Sequence, residues 1–433
     1  MAQPLLLKNG RLIDPANNID GPGHLLIEDG RIKGVYLGDL DTISEETCQV
    51  IDAKGKWIVP GLVDMHVHLR EPGQEYKETV ESGTRAAAAG GFTAVACMPN
   101  TSPANDNEAV TSFILTKAKE AGFAKVYPVA SISHHSDGTR LAEFGELKKA
   151  GAAALSDDGR PVENSQLMRR ALEYSANYDL LLISHSEEMA LSGNGVMNEG
   201  AFATRLGLRG IPSIAEEIMI YRDLALAEYI KRPIHIAHIS TRESVDLIRR
   251  AKGKGSPVTA ETAPHYFTLT EEAVGDYNTA AKMNPPLRSK DDRLAIQEGL
   301  QDGTIDVIAT DHAPHARQDK EVEFDLAANG IIGLETSVPL ALALVRDEII
   351  TPARMIELMS VNPCRILGVE GGSLSPGACA DITLIDPHRV FTYEEKAVVS
   401  KSKNSPFLNW SLQGKAVTTI LAGRITYSDP DPA

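Results

Sequence analysis

Cysteine is scarce in this chain, and acidic residues outnumber basic ones. The four cysteines, Cys48, Cys97, Cys364 and Cys379, are scattered and form no Cys-x-x-Cys pair. They fit a reducing compartment and core packing better than disulfides or a thiolate zinc site. Lysine and arginine total 43 against 59 aspartates and glutamates, a net charge of -16. This balance argues against nucleic acid or an anionic membrane as the main partner, although a local basic group can still bind a small anionic substrate.

Long hydrophobic runs are also missing. No apolar stretch is long enough to span a bilayer. The opening residues Met-Ala-Gln-Pro-Leu-Leu-Leu-Lys have too short an apolar run and too early a lysine for a signal peptide. We therefore expect a cytoplasmic protein. A length of 433 residues suggests several domains, but an α/β barrel alone commonly takes roughly 250 residues.

The pattern of apolar residues changes twice along the chain. Before Gly55, short strands are joined by hairpin signals such as Asn9-Gly10 and Asp29-Gly30. From Trp57, eight predicted strands alternate with helices, which predicts a closed (β/α)8 TIM barrel, with a doubly wound open sheet as the alternative. After Gly368, hairpin-like strands return. We predict an α/β protein with a barrel at residues 56–367 and a small β-sandwich domain built from both chain ends, residues 1–55 and 368–433.

Helices within the barrel are predicted from helical periodicity and from capping residues. The clearest of them fall at residues 108–121, 141–150, 214–230, 242–251, 336–345 and 352–359. We interpret the helix at 214–230 as amphipathic.

The stretch Trp57 to Arg70 reads as a buried strand that ends in polar residues. Side chains alternate faces along a strand, so His66, His68 and Arg70 share one face. Paired imidazoles suit a divalent metal ion. Two histidines on a wet strand edge are the alternative, but the apolar approach and the neighbouring Asp64 favour the metal.

Other polar residues follow the remaining strands, where barrel enzymes carry their chemistry. With the first pair, these strand-end residues are His66, His68, Asn100, Asp157, Asp158, His185, His238 and Asp311. Nitrogen and oxygen ligands without thiolate suit zinc, with manganese, cobalt or iron as looser options. Only one of the neighbours Asp157 and Asp158 can face the metal, and the strand pattern does not choose between them.

Several other polar residues remain ambiguous. His235 faces away from His238 and is interpreted as packing, and His312 points away from Asp311. His265 either supports the ligands or has no role, whereas His315 follows Asp311 by one turn of loop and could reach a ligand. His24, His134, His135 and His388 have no supporting context, and Asn284 is either a positioned amide or a turn residue.

These motifs together resemble the amidohydrolase superfamily, and within it the bacterial class I dihydroorotases. The most specific runs are His-Leu-Arg-Glu-Pro-Gly at 68–73, Asn-Pro-Pro-Leu-Arg at 284–288 and Thr-Asp-His-Ala-Pro-His at 310–315. The resemblance covers nearly the whole barrel in order. It implies one or two zinc ions per subunit, two being favoured. One metal is held by His66, His68 and Asp311 and the other by His185 and His238, with Asp158 rather than Asp157 bridging them.

The resemblance also implies a substrate site and a reaction. The substrate-binding positions are His68, Arg70, Asn100, Asn284, His315, Asn329 and Gly330. The implied reaction is reversible ring closure of N-carbamoyl-L-aspartate to L-dihydroorotate plus water, in de novo pyrimidine (UMP) biosynthesis. In the ring-opening direction, zinc-activated water attacks the ring amide and Asp311 carries the proton. Arg70 binds the ring carboxylate bidentately, which a lysine would not reproduce.

Two rival functions are weighed against this interpretation. The nearest rival is another cyclic amidase, such as a hydantoinase, dihydropyrimidinase or allantoinase, which has no need of Arg70 to bind a ring carboxylate. Hydantoinases and several other relatives also bridge their metals with a carbamylated lysine on the fourth strand, whereas this strand ends in Leu155-Ser-Asp-Asp-Gly159 and the nearest lysines, Lys148 and Lys149, precede it. A non-catalytic scaffold for aspartate transcarbamoylase would be expected to lose metal ligands, and all are present.

Expected partners are a small-molecule substrate and further copies of the chain in a homo-oligomer, with aspartate transcarbamoylase as a candidate. No nucleic acid or membrane is expected. The charged segment 316–329 is either a lid over the site or an ordinary exposed loop.

Overall fold

The computed structural model describes residues 3–38 and 45–429. Its strands, in chain order, are β1 (Leu5–Asp14), β2 (Ile19–Glu28), β3 (Arg31–Leu37), β4 (Gln49–Asp52), β5 (Trp57–Pro60), β6 (Leu62–Val67), β7 (Phe92–Cys97), β8 (Lys125–Ala130), β9 (Ala154–Leu155), β10 (Leu181–Ser184), β11 (Met197–Asn198), β12 (Gly210–Ile211), β13 (Ile234–Ile236), β14 (Val258–Thr262), β15 (Val307–Ile308), β16 (Ile382–Thr392), β17 (Ser411–Leu421) and β18 (Arg424–Ser428). Its helices are α1 (Val80–Ala89), α2 (Glu108–Ala121), α3 (Phe144–Ala150), α4 (Ser165–Ser175), α5 (Met189–Ser192), α6 (Ala201–Leu206), α7 (Ile214–Ile230), α8 (Arg242–Gly253), α9 (Pro264–Thr268), α10 (Lys290–Asp302), α11 (Arg317–Lys320), α12 (Ser337–Arg346), α13 (Pro352–Ile356) and α14 (Asn362–Leu367).

Eight strands form a parallel sheet in the order β6-β7-β8-β9-β10-β13-β14-β15. Its two ends meet where Val67 pairs in parallel with His312, and the His68 N–H donates to the His312 carbonyl at 2.9 Å. The contact joins the first strand to the segment after the last, so the sheet closes. The predicted (β/α)8 barrel is confirmed, and the open doubly wound sheet is wrong.

The barrel strands read as continuous apolar runs because both of their faces are covered. Every residue of β7 is buried, for example. Such two-sided burial is typical of parallel sheets flanked by helices. The side chains that fill the barrel interior include Met65, Ala96, Met98, Val129, Ala154, Ile183, Ala237, Val307 and Ala309. This packed interior is not a pore, and the polar side chains of the barrel lie at its strand ends, where barrel enzymes carry their chemistry.

Side-chain caps begin several of the surrounding helices. Asn107, Asn164 and Thr241 each accept a hydrogen bond from the first turn of the helix that follows. The predicted extents of α2 and α7 are confirmed. The helix predicted at 141–150 begins only at residue 144, and the one predicted at 352–359 ends at residue 356, where a π-helical turn takes over. Helix α10 was not predicted.

A second sheet pairs strands from both ends of the chain. Its order is β18-β17-β16-β5-β1-β2-β3, with β4 paired to β1, and it has its own apolar core, which includes Leu12, Leu25 and Ile382. The predicted strand from Trp57 onward is in fact two strands that separate at Gly61: β5 belongs to this sheet and β6 to the barrel. A Cβ at Gly61 would lie 2.2 Å from Thr93 Oγ1. The pairing of the chain ends is confirmed, and the boundaries 1–55, 56–367 and 368–433 stay a prediction.

Helix α7 differs from the sequence interpretation. Its inner face is buried, but Ile214, Ile218, Tyr221 and Tyr229 are exposed on its outer face. The helix is therefore apolar on both faces rather than amphipathic. No helix within residues 3–38 and 45–429 combines the length and the hydrophobicity needed to cross a lipid bilayer.

Candidate metal centre and active site

Six buried side chains from five different strand ends converge at one end of the barrel. They are His66, His68, Asp158, His185, His238 and Asp311. Ligand atoms of His66, His68 and Asp158 lie within 4.8 Å of one another, and so do those of Asp158, His185 and His238. Either group could hold a metal ion, and Asp158 is common to both.

Asp158, rather than Asp157, points into this cluster. Asp158 Oδ1 lies 3.3 Å from His66 Nε2 and 3.5 Å from both His185 Nδ1 and His238 Nε2. Asp157 turns the other way and accepts the backbone N–H of Ile132 at 2.8 Å. The strand pattern did not say which of the two aspartates faces the cluster; in the structure it is Asp158, whereas Asp157 binds the backbone of the loop at Ile132.

The charge balance of the cluster fits a cation. His66 Nε2 and Asp158 Oδ1 are buried and find no hydrogen-bond partner among the described residues. Burial lowers the pKa of His66, but the charges of Asp158, Asp311 and Glu261 outweigh burial and raise that pKa well above its ordinary value. Burial raises the pKa of Asp158, but the charge of His66 outweighs burial and holds that pKa well below its usual range. Positive charge is favoured at this point, and the nitrogen and oxygen donors suit a divalent metal.

Three residues of the site adopt backbone conformations that side chains rarely take. Arg70, His238 and Asp311 have φ values of 61°, 32° and 45°. A positive φ is costly for a residue with a Cβ and persists where the surroundings over-determine it, as at functional sites. At these three residues the left-handed backbone interrupts the alternation of side chains between the two faces of the strand. The direction of these side chains therefore does not follow from their position along the strand.

Behind the cluster lies a buried carboxylate that sequence reasoning missed. Glu261 Oε1 accepts from His66 Nδ1 at 2.6 Å, and Glu261 Oε2 accepts from His235 Nε2 at 3.1 Å. The other nitrogen of His235 lies 2.8 Å from Thr259 Oγ1. His235, interpreted as packing, therefore belongs to a polar chain that ends on His66. An acidic residue inside the buried strand β14 was the available signal.

A second carboxylate links the cluster to a predicted substrate residue. Glu187 Oε2 lies 3.1 Å from His185 Nε2 and accepts from Asn284 Nδ2 at 2.9 Å. Although burial opposes it, His185 lowers the pKa of Glu187 to about 2. Glu187 follows His185 by two residues in the run Ser184-His-Ser-Glu187, and this spacing was the signal in the sequence that could have predicted the contact. This hydrogen bond fixes the orientation of the Asn284 amide, and its role toward a substrate stays a prediction.

Arg70 and His315 meet at the mouth of the cluster. Arg70 Nη2 lies 3.2 Å from His315 Nε2, and Arg70 Nε donates to the Pro314 carbonyl at 3.2 Å. Burial lowers the pKa of Arg70 to about 10, so the guanidinium stays charged at neutral pH. Burial and the charge of Arg70 lower the pKa of His315 to about 2, which leaves the imidazole neutral and able to accept from Arg70. No carboxylate within residues 3–38 and 45–429 forms an ion pair with Arg70, and a buried cation of this kind is suited to bind an anion.

Asn100 bridges both halves of the site. Asn100 Oδ1 accepts from His68 Nδ1 at 2.8 Å, and its Nδ2 donates to Asp158 Oδ2 at 3.3 Å. This hydrogen bond fixes His68 with Nε2 directed at Asp311 Oδ1, 3.0 Å away.

Most of the predicted site residues line one cavity of about 220 Å³. The lining comprises His68, Arg70, Asn100, Asp158, Gly159, His185, His238, Met283, Asn284, Asp311, Ala313, His315 and Asn329. His66 lies beneath the lining and is fully buried. His265 is also buried, and burial lowers its pKa to about 4. The histidines without supporting context, His24, His134, His135 and His388, are not among the lining residues.

The segment 316–329 is tied to the barrel by two buried lysines. Lys320 Nζ donates to the Ala328 carbonyl at 2.7 Å within the segment, and outside it to the carbonyls of Gly330 at 3.1 Å and Lys282 at 3.3 Å. From the other side, Lys282 Nζ donates to the Phe324 carbonyl at 2.7 Å. These contacts hold the segment beside the cavity.

The chain is similar to known proteins over most of its length. Residues 55–244 match the family described as Dihydro-orotase-like. The chain is 56% identical over 424 residues to a dihydroorotase of Trichlorobacter lovleyi, covering 98% of this chain and 99% of that one. It is 55% identical to a dihydroorotase of Syntrophus aciditrophicus with the same coverage. Its fold is also that of an L-hydantoinase (dihydropyrimidinase) from Arthrobacter aurescens, with a TM-score of 0.88, 24% identity and coverage of 99% and 96%. The chain belongs to the dihydroorotase family.

Proposed function

We propose that this protein interconverts N-carbamoyl-L-aspartate and L-dihydroorotate plus water, with ring closure serving de novo pyrimidine biosynthesis. The observation that carries the proposal is the placement of Arg70. Its buried guanidinium lies beside neutral His315 at the mouth of a histidine and aspartate cluster. The cluster suits amide hydrolysis, and the guanidinium selects a cyclic amide that carries a carboxylate.

The proposed cofactor is zinc, two ions per subunit being favoured over one. His66, His68 and Asp311 would hold one ion, His185 and His238 the other, and Asp158 would be shared. When bound, zinc supplies a Lewis acid for the carbonyl oxygen and acidifies water.

Asp311 is the proposed proton carrier. Burial raises the pKa of Asp311, but the charge of His66 outweighs burial and lowers that pKa. The carboxylate therefore stays ionised at neutral pH. In ring closure Asp311 takes the proton that the carbamoyl nitrogen loses as the new C–N bond forms, and it passes this proton to the carboxyl-derived oxygen, which leaves as water when its C–O bond breaks. In ring opening Asp311 takes a proton from the attacking water as the C–O bond forms and delivers it to the ring nitrogen as the C–N bond breaks.

The other predicted residues orient the substrate. Arg70, Asn100 and His315 would bind the ring carboxylate, and Asn284 would donate to a ring carbonyl. The backbone of Asn329 and Gly330 would contact the pyrimidine ring. These roles hold the reacting carbonyl and nitrogen in place, which lowers the entropic part of the barrier.

One assay combined with metal analysis tests the proposal. Purified protein is analysed for zinc and then supplied with L-dihydroorotate or with hydantoin, a cyclic amide that lacks the carboxylate. We expect bound zinc, turnover of dihydroorotate that chelation abolishes, and little activity on hydantoin. Preference for hydantoin would favour a hydantoinase, and metal-free, chelator-insensitive turnover would remove the zinc assignment.

The proposal includes a cytoplasmic location. All four cysteines are free in the structure, and Cys48, Cys97 and Cys364 are buried. Unpaired cysteines at these positions fit a reducing compartment.

A further inference from the structure

Asn404 comes from the chain between β16 and β17, far in sequence from the site residues described above, yet its side chain reaches them. Its Nδ2 donates to the Ala313 carbonyl at 2.9 Å and to the Gly330 carbonyl at 3.0 Å. Its Oδ1 accepts the backbone N–H of His315 at 2.9 Å. Both amide hydrogens and one oxygen lone pair are therefore used by two loops of the substrate site.

The two loops that Asn404 joins need a fixed spacing. Gly330 has a φ of 154°, and a Cβ there would lie 2.6 Å from the Ala313 carbonyl oxygen and 2.7 Å from His315 Cδ2. The loop that carries Gly330 thus packs directly against the loop that carries His315. The Ile332 N–H also donates to the Asn404 carbonyl at 3.0 Å, which adds a backbone connection to the same pair of loops.

The segment that carries Asn404 is itself anchored. Glu78 accepts from Ser400 Oγ at 2.5 Å and from the Lys401 N–H at 3.2 Å. Glu335 accepts the backbone N–H groups of Val399 at 2.9 Å and Ser400 at 3.0 Å. These contacts hold the segment firmly, so the amide of Asn404 is presented as a fixed part of the barrel rim.

We propose that Asn404 is a positioning residue that sets the distance between His315 and the Gly330 backbone and so determines how tightly the carboxylated ring is bound. The inference rests on the proposed function, because that function makes His315 and Gly330 substrate contacts. Asn404 is only 7% exposed and does not line the cavity, so it acts through these two residues and not by touching substrate.

The test is steady-state kinetics on Asn404→Ala and on Asn404→Asp, which keeps the side-chain size and the acceptor but loses both donors. We expect KM for dihydroorotate to rise by about tenfold or more, because buried partners are left unpaired. We expect kcat to change by less than about threefold and zinc content to stay normal, since the lost contacts bind substrate and transition state alike.

Asn362 supplies a matched control. It is also 7% exposed, and its Nδ2 donates to the Asp306 carbonyl at 2.9 Å, next to the start of β15 and away from the rim. We expect Asn362→Ala to lower the melting temperature as much as Asn404→Ala does while leaving KM unchanged.

The outcomes separate this inference from the proposed function. Failure of the wild-type protein to turn over dihydroorotate overturns both. An active wild type with unchanged KM in both Asn404 variants overturns only the positioning role. An equal rise of KM in Asn362→Ala also overturns it, because the effect would then be general destabilisation.

Discussion

At the scale of single residues, the direction of a side chain depends on hydrogen bonds from distant parts of the chain. His66 presents Nε2 to the cluster because Glu261 holds its Nδ1, and His68 presents Nε2 because Asn100 holds its Nδ1. Neutral histidine binds a metal through one nitrogen, so the partner of the other nitrogen selects the tautomer. The residues behind the ligands therefore matter as much as the predicted ligands.

Arg70→Ala tests the carboxylate contact. A hydrogen bond to a charged group is worth about 1.5–3 kcal/mol, so we expect at least a tenfold loss of kcat/KM for dihydroorotate. Zinc content should stay normal because Arg70 is no ligand. Arg70→Lys keeps the charge but not the bidentate geometry and should restore activity only in part. Unchanged kinetics in Arg70→Ala would show that the carboxylate is bound elsewhere.

Asp311→Asn tests the proton carrier. The amide has the same size but does not accept a proton at neutral pH, so we expect turnover to be nearly abolished while the circular dichroism spectrum is retained. Zinc content is measured alongside, because Asp311 is also a proposed ligand. Substantial activity in this variant would remove Asp311 from acid–base chemistry.

Glu261→Gln tests the support behind His66. The variant loses the charge that fixes the His66 tautomer, and we expect zinc affinity to fall about 10–100-fold, as measured by competition with a chromogenic chelator. Thr259→Val breaks only the outermost contact of the same chain and should cost less. Equal zinc affinity in wild type and Glu261→Gln would contradict this role.

At the scale of elements, strand ends and the loops after them carry the whole site. The segment 316–329, which the sequence left as a lid or an exposed loop, is joined to the loop of Lys282 by hydrogen bonds from two buried lysines, Lys282 and Lys320. Its helix α11 spans only Arg317–Lys320, so side-chain contacts rather than helix formation stabilise it. Whether it opens for substrate stays a prediction.

Lys320→Met tests the attachment of this segment. The variant keeps the bulk but loses every donor, and buried carbonyls left unpaired at a cost of about 1–3 kcal/mol should raise the rate of proteolytic cleavage within 316–329 by roughly tenfold. The exposed Arg317, which pairs with Glu395, gives the control variant Arg317→Met, which should cleave like wild type. If dihydroorotate slows cleavage of the wild type, the segment is a lid; equal rates with and without substrate would make it an ordinary loop.

At the scale of the whole molecule, one surface feature bears on the predicted homo-oligomer. Helix α7 exposes Ile214, Ile218, Tyr221 and Tyr229, and the nearby helix α5 adds Met189. A contiguous exposed apolar patch commonly marks a surface that another molecule covers. A two-fold interface buries the same patch from both copies, and an apolar centre would avoid repulsion between chains of net charge -16. We therefore expect a second copy of the chain here; assembly with aspartate transcarbamoylase stays a prediction without a structural feature assigned to it.

Tyr221→Glu combined with Ile218→Glu tests this interface. Burying two carboxylates at a contact is unfavourable, so we expect the molar mass from light scattering to fall relative to wild type. Phe113→Glu places a charge at another exposed aromatic residue, on α2, and should leave the mass unchanged. Identical masses for wild type and the α7 variant would show that the oligomer, if formed, uses another face.

The sequence by itself determined the alternation of strands and helices, the closed barrel and the polar strand-end residues that converge at one end of it. Those features follow from local patterns, because strand and helix periods and the rule of strand ends are readable within short windows. The strand pattern did not choose between Asp157 and Asp158, and the family resemblance favoured Asp158. The tertiary structure gives the physical reason, because Asp157 is turned away to accept the backbone N–H of Ile132. It also decided the roles of Glu261, Glu187 and Asn404. Their partners lie up to 195 residues away along the chain, as Glu261 and His66 do, and no local pattern encodes which distant atoms meet.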